Sequence, residues 1–171
     1  MSSSGRPKAS SRETIAEAAC ELFLEHGYEQ TAVADIARRA GVSRSSFFNY
    51  FDSKADVLWG GFDTRLDAAI AALRRGASVP ETLRALVDGF APDSLALAIT
   101  NAEAMGVTDD LDAERSLRCG RLARAVSDRL VADGASRLVA DVHAAAAAGA
   151  VLASIWAWSS RRAWALDGPR R

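Results

Sequence analysis

The sequence predicts an all-α protein, on three observations. Ala and Leu are abundant and β-branched runs are scarce, which favours helix. No segment sustains period-two alternation, whereas apolar residues recur at helical spacing along most of the chain. Good N-caps and terminal glycines cut that pattern into segments of helix length. The 171 residues are 49% hydrophobic and 25% charged, the balance of a soluble globular protein. The length suits one ordinary domain, or a small and a medium one sharing a core.

Residues 1–9 are Ser-rich with no apolar pattern and read as a free arm, made basic by Arg6, Lys8 and, just beyond it, Arg12. The first helix begins at Ser10, which stands at capping-box spacing from Glu13. Its buried face is Ile15, Ala18, Ala19, Leu22 and Phe23, and it stops at His26–Gly27. Thr31 is expected to cap a second helix carrying Val33, Ile36, Ala37 and Ala40, closed by Gly41. Ser43 caps a third, running through Phe51. Asp52 or Ser53, the latter with Asp56 at capping-box spacing, caps a fourth that carries Leu58, Trp59, Phe62, Leu66, Ile70 and Leu73 to Gly76. Beyond it the pattern predicts helices over Pro80–Phe90 behind a Ser78 cap, Asp93–Met105, about Leu111–Ala132 and about Ala135–Trp164. Gly106, Gly134 and Gly168 punctuate them.

Several functional classes find no support in the residues. Cys20 and Cys119 have no metal-ligand spacing and read as reduced thiols in a cytoplasmic protein; with only two histidines, no metal site is expected. The polar start predicts no secretory leader. The apolar stretch Ala144–Trp158 is shorter than the roughly 18 residues of a membrane span and is read as a buried helix. No nucleophile elbow, phosphate loop or metal-binding pair points to an enzyme, and no cofactor is expected. Net charge is −1, and residues 1–54 hold seven basic and seven acidic side chains, so bulk charge does not signal nucleic acid.

The informative stretch is Thr31–Phe51, two short helices joined by Ala40-Gly41-Val42-Ser43. In a helix-turn-helix the helices approach closely at one point, which the small Ala37 permits. Gly41 stands four residues on, where the chain reverses; Val42 and Phe47 fill the wedge, and Ser43 caps the helix that enters the major groove. A helical hairpin of another kind shares any one of these features, but rarely all of them at these offsets.

The run TAVADIARRAGVSRSSFFNYFDSKADVL resembles the DNA-binding signature of the TetR family, through Thr31, Val33, Ile36, Ala37, Ala40, Gly41, Val42, Ser43, Tyr50, Phe51, Ser53, Lys54 and Leu58. Ile15, Ala18, Leu22, Phe23, Gly27 and Tyr28 fit the same family. The resemblance is specific over about residues 12 to 58. It implies an N-terminal three-helix DNA-binding domain over 1–53, and over 54–171 a helical domain for effector binding and dimerisation.

Site roles follow from it residue by residue. Arg44, Ser45, Ser46 and Asn49 are candidates for base edges or nearby phosphates, since Arg matches guanine and Asn matches adenine. Tyr50 and Lys54 resemble the family's phosphate contacts, and Thr31 offers a hydroxyl or backbone N–H to another. Phe48 departs from the family pattern, in which a tyrosine hydroxyl there often meets a phosphate. Contact with a thymine methyl and packing inside both stay open for it. Against these stand plainer readings: Arg44 as a solvated cation, Tyr50 as core, Arg38 and Arg39 as an exposed helix end, the arm as unstructured chain.

The last helix is apolar nearly all round. Leu138, Val142, Ala146, Gly149, Ala153 and Trp156 form one stripe; Val151, Leu152, Ile155 and Trp158 extend onto another face. One face in the core and one in a partner subunit is the expectation, giving a homodimer through the last two helices. Trp59, Phe62, Leu66, Phe90, Met105 and Trp156 are core by default and the candidate lining for a small apolar or aromatic effector. His143 is a candidate polar pocket or interface group. The expected function is a regulator that binds a double-stranded operator and is released by such an effector, with effector-free control by abundance or a protein partner as the alternative.

Overall fold

The computed structural model describes residues 11–88, 90 and 93–167, with side chains over 12–88, 90 and 93–161. Among these the chain is helical, with no strand. The elements are α1 (Ser11–His26), α2 (Val33–Arg39), α3 (Arg44–Phe48), α4 (Lys54–Arg74), α5 (Val79–Val87), α6 (Ser94–Thr100), α7 (Ala102–Met105), α8 (Thr108–Ala132) and α9 (Arg137–Asp167). Ser10 of the expected first cap, Arg6 and Lys8 of the basic arm, and Gly168 lie outside the described residues.

Local chemistry sets most boundaries. The Ser43 and Ser53 hydroxyls accept the N–H groups of Ser46 and Asp56, at 3.0 and 3.1 Å, each satisfying a donor that a helix start leaves free. Asp56 completes the second cap by accepting the N–H of Asp52 at 3.1 Å, one residue earlier than a strict capping box. Gly41 adopts φ +68°, and Val42 N–H reaches back to the Ala37 carbonyl at 2.9 Å while Gly41 N–H reaches Arg38. This Schellman closure needs a left-handed residue, which costs glycine nothing sterically.

Four sequence expectations are corrected. Thr31 does not cap α2: the N-cap is Ala32, and Asp35 accepts the Ala32 N–H at 3.4 Å. α3 ends at Phe48 rather than Phe51, because Asn49 and Tyr50 turn the chain so that Phe51 drops into the core. The predicted helix over Asp93–Met105 is two, broken at Asn101, whose φ of −115° leaves the helical range and whose amide donates to the Leu97 carbonyl. The helix expected from Pro80 to Phe90 ends at Val87.

One apolar core runs from the N-terminal helices into the remainder. Ile15, Phe23, Ile36, Phe47, Trp59, Phe62, Leu66, Leu95, Met105, Leu122 and Leu152 are all buried in it. α1 packs on α2, α4, α6 and α7, while α4 also packs on α5, α6 and α8. α8 and α9 form the most extensive helix pair. On α9, Ala140, Ala144, Ala148, Leu152 and Ile155 face the core, whereas Leu138 and Val142 are 75% and 59% exposed. Ala146 and Ala153 are exposed and Gly149 is half-buried, so the predicted stripe lies outward over most of its length. Its last member differs, because Trp156 turns back to stack near Trp59. By length and composition alone, Arg137–Arg161 is apolar enough to cross a membrane, longer than the sequence stretch suggested. One alanine face packs on the core while most of the segment stays exposed, so the helix expected to be buried is buried on one side only.

A buried cluster joins α4 to α8. Arg118 is 8% exposed and grips Asp63 with two bonds, Nε–Oδ1 at 2.8 Å and Nη2–Oδ2 at 2.5 Å. It also donates to Glu114 and lies 4.1 Å from the centre of the Trp59 ring. Burial alone would lower the guanidinium pKa; the bonds to Asp63 and Glu114 outweigh it and hold the group above its ordinary value. Arg121 extends the set to Asp67 at 2.5 Å.

Candidate nucleic-acid interface

α2 and α3 are too short to stand alone, and tertiary packing holds them. Ile36 and Phe47 are fully buried and Ala37 nearly so, which fixes the angle between the two helices. Phe47 packs edge-on against Phe48 at 5.3 Å and tilted on Phe51 at 5.6 Å. With Phe47 inward, α3 turns its other side to solvent. Arg44, Ser45, Phe48, Asn49 and Tyr50 are exposed there, and Ser46 is half-buried. Two i, i+4 pairs, Arg44/Phe48 and Ser45/Asn49, therefore line one short face.

Local hydrogen bonds hold part of this face. The Ser43 hydroxyl lies 2.8 Å from those of both Ser45 and Ser46. Ser46 also gives its N–H to that oxygen, so it belongs to the cap more than to the open surface. Phe48 is 46% exposed, which removes the option of packing inside. Tyr50 is 39% exposed, so its ring is available at the surface and is not core.

Two predicted contacts sit differently. Thr31 is 2% exposed; its hydroxyl donates to the Gly27 carbonyl at 2.8 Å, and its N–H to Tyr28 at 3.2 Å. Both groups offered to a phosphate are thus used inside the chain, clamping the α1–α2 turn. Lys54 is half-buried, with Nζ donating to the Tyr28 carbonyl at 2.8 Å and lying 4.3 Å from that ring's centre. An ammonium has further donors, so a phosphate contact stays compatible with this anchoring. The Tyr28 hydroxyl is pushed up to about 12, first by burial and then by the charges of Asp110, Glu29 and Glu114. It stays protonated at neutral pH.

Arg12 was missed as a positioning residue. Read from sequence as part of a basic arm, it donates from Nη1 to the Tyr50 carbonyl at 2.8 Å and lies 4.5 Å over the Phe51 ring. It thereby ties α1 to the turn after α3. A Cβ at Gly60 would collide with its guanidinium, and one at Gly61 would stand 3.1 Å from Asp93. The signal was present in the sequence as two adjacent glycines inside a helix. Arg39 is occupied by Glu21 and Glu25 of α1, and Arg38 by Asp35, in keeping with the plainer reading of that helix end.

Four of the six candidate pocket residues are packed in the interior, and Phe90 and Trp156 lie half-buried against it. Trp59, Phe62, Leu66 and Met105 are essentially fully buried. Trp59 contacts Phe62 and Trp156, each at 5.9 Å between ring centres, and Phe90 packs edge-on to Trp158. A groove of about 850 Å³ between α4 and α8 and one of about 390 Å³ between α4 and α5 are lined by other residues. His143 is exposed on α9 and faces neither groove.

Taken together these features define a protein that is helical among the described residues and whose N-terminal helix-turn-helix presents a polar, partly aromatic face. Over residues 15–58 the chain matches the family model of bacterial regulatory proteins, tetR family. It is 42% identical over 62 residues to the mycofactocin biosynthesis transcriptional regulator MftR of Mycobacterium tuberculosis, covering 36% of this chain and 31% of that protein. It is 37% identical over 78 residues to the HTH-type transcriptional repressor DhaR of a Mycobacterium species, covering 43% and 38%. Among solved structures, the fatty acid degradation regulator FadR from Bacillus halodurans is 20% identical, with a TM-score of 0.49 over 92% of this chain and 88% of that one. The likeness to the TetR family of regulators is carried by this N-terminal segment. The aligned stretch spans about a third of the length of the two curated relatives.

Proposed function

We propose that this chain is a sequence-specific DNA-binding transcriptional regulator, a repressor that acts as a cytoplasmic homodimer. The observation that carries the reading is the α3 face. Arg44, Ser45 and Phe48 of α3 and Asn49 just after it stand exposed together, opposite the fully buried Phe47 that anchors the helix. Base-reading side chains on a rigid element are what major-groove recognition requires. Tyr50 and Lys54 flank this face as phosphate contacts. The outward stripe Leu138, Val142, Ala146 and Ala153 supports dimerisation through α8 and α9, and a two-fold dimer matches paired half-sites on DNA. The division of labour falls at Ser53, with residues 1–53 reading DNA and 54–171 pairing and regulating.

Release by a small apolar or aromatic effector would act through α4, which starts directly after the helix-turn-helix and packs on α5, α6 and α8. An effector acts this way only by binding one arrangement of α4 more tightly than another. A second reading has its own support. Trp59, Phe62, Leu66 and Met105 fill the interior, which favours control by abundance or by a protein partner over an effector lodged among them.

The test is binding to DNA from around its own gene, by fluorescence anisotropy at two salt concentrations against scrambled competitor. Selective, salt-sensitive binding by a dimer is expected. Equal affinity for scrambled DNA at both salts would overturn the regulator reading.

A further inference from the structure

Phe48 is a large apolar side chain left 46% exposed in the middle of a polar face. Single exposed apolar side chains are ordinary on a protein surface; Phe48 is set apart by its place among the polar side chains of the α3 face. Its position is fixed from beneath, since the buried Phe47 ring meets it edge-on at 5.3 Å and 82°. Arg44, one helical turn earlier, places its guanidinium 5.8 Å from the ring centre. The side chain has no hydroxyl and cannot hydrogen-bond a phosphate. What the major groove offers to an apolar group is the C5-methyl of thymine, which marks thymine in that groove.

Resting on the DNA-binding reading above, we propose that Phe48 reads a thymine methyl, and that Arg44 and Phe48 act as one unit on neighbouring bases. The 5.8 Å between guanidinium and ring, set against a rise of about 3.4 Å per base, places that thymine about one to two base steps from the base held by Arg44. Cation and ring are already neighbours in the free protein, 5.8 Å apart on one side of α3.

The full-length chain is first used to select its preferred duplex from random sequence. Each thymine of that duplex is then replaced singly by deoxyuridine, which removes the methyl and leaves the hydrogen-bonding edge unchanged. One thymine per half-site is expected to show about fourfold weaker binding on methyl removal, the effect of withdrawing one buried methyl-sized group. In Phe48→Ala that same replacement is expected to have no effect, while Arg44→Ala loses its selectivity at a base next to or one beyond the sensitive thymine. No methyl-sensitive thymine in the wild-type scan overturns the proposal without touching the regulator reading, and that scan depends on no variant. Equal methyl sensitivity in Phe48→Ala overturns it as well. Failure to enrich any sequence overturns both readings.

Discussion

Arg118→Met isolates the buried link between α4 and α8. Methionine keeps the apolar stem of the side chain but not the guanidinium over Trp59, so the charge, the bonds to Asp63 and Glu114 and that ring contact are lost together. Stranding the partners of a buried ion pair costs about 3–5 kcal/mol when they stay dry. Here the Asp63 and Glu114 side chains keep 22% and 34% exposure, and Arg121 stands 3.7 Å from Asp63 as a substitute cation. Partial exposure takes the cost below that range, to about 2 kcal/mol, or a fall in Tm of about 4–8 °C for a chain of this size. Urea unfolding followed by circular dichroism measures it. Adding Asp63→Leu removes one stranded carboxylate, so the double variant is expected to recover about half of the loss. A single variant within about 0.5 kcal/mol of wild type, or a double variant as unstable as the summed singles, would refute the reasoning.

Three further outcomes follow from the same geometry. Lys54→Met is expected to weaken binding to all sequences alike and to reduce the salt slope by about one, whereas a sequence-selective loss would contradict its phosphate role. Asp93 caps α6 by accepting the Ala96 N–H at 3.1 Å, and burial, the largest influence, lifts its carboxyl above the usual range despite the N–H bonds and Arg65. A raised folded pKa gives stability that is present below the unfolded value of about 4 and is lost as pH rises through the folded one. Asp93→Asn keeps the cap without the charge, so its stability relative to wild type should rise from about pH 4 to 7; parallel urea profiles would reject this. Val142→Glu, on the outward face of α9, is expected to shift sedimentation from dimer to monomer, and an unchanged dimer would place the interface elsewhere.

Much of the fold was legible because it is written in short-range chemistry. The Ser43 and Ser53 caps and the reversal at Gly41 depend on residues within a turn of one another, and the structure keeps them where the spacing put them. The face of α3 was legible for the same reason, since Phe47 inward forces Arg44, Ser45, Phe48 and Asn49 outward. Local rules failed where a distant group supplied the partner. Thr31 has a capping residue's chemistry, but the Gly27 and Leu22 carbonyls of the preceding turn took its hydroxyl. Arg12 looked like part of a basic arm until Tyr50, Phe51 and Gly60 surrounded it. Phe48 had two open fates, and only the packing of Phe47 against Ile36 and Phe51 left it at the surface. The sequence by itself determined most of the helices, the helix-turn-helix and which side chains of α3 face outward. Tertiary structure decided which cations are free, which aromatics are core, and how α4 is tied to α8, because a side chain's partner from another helix is set by where packing brings the helices together, which no local spacing encodes.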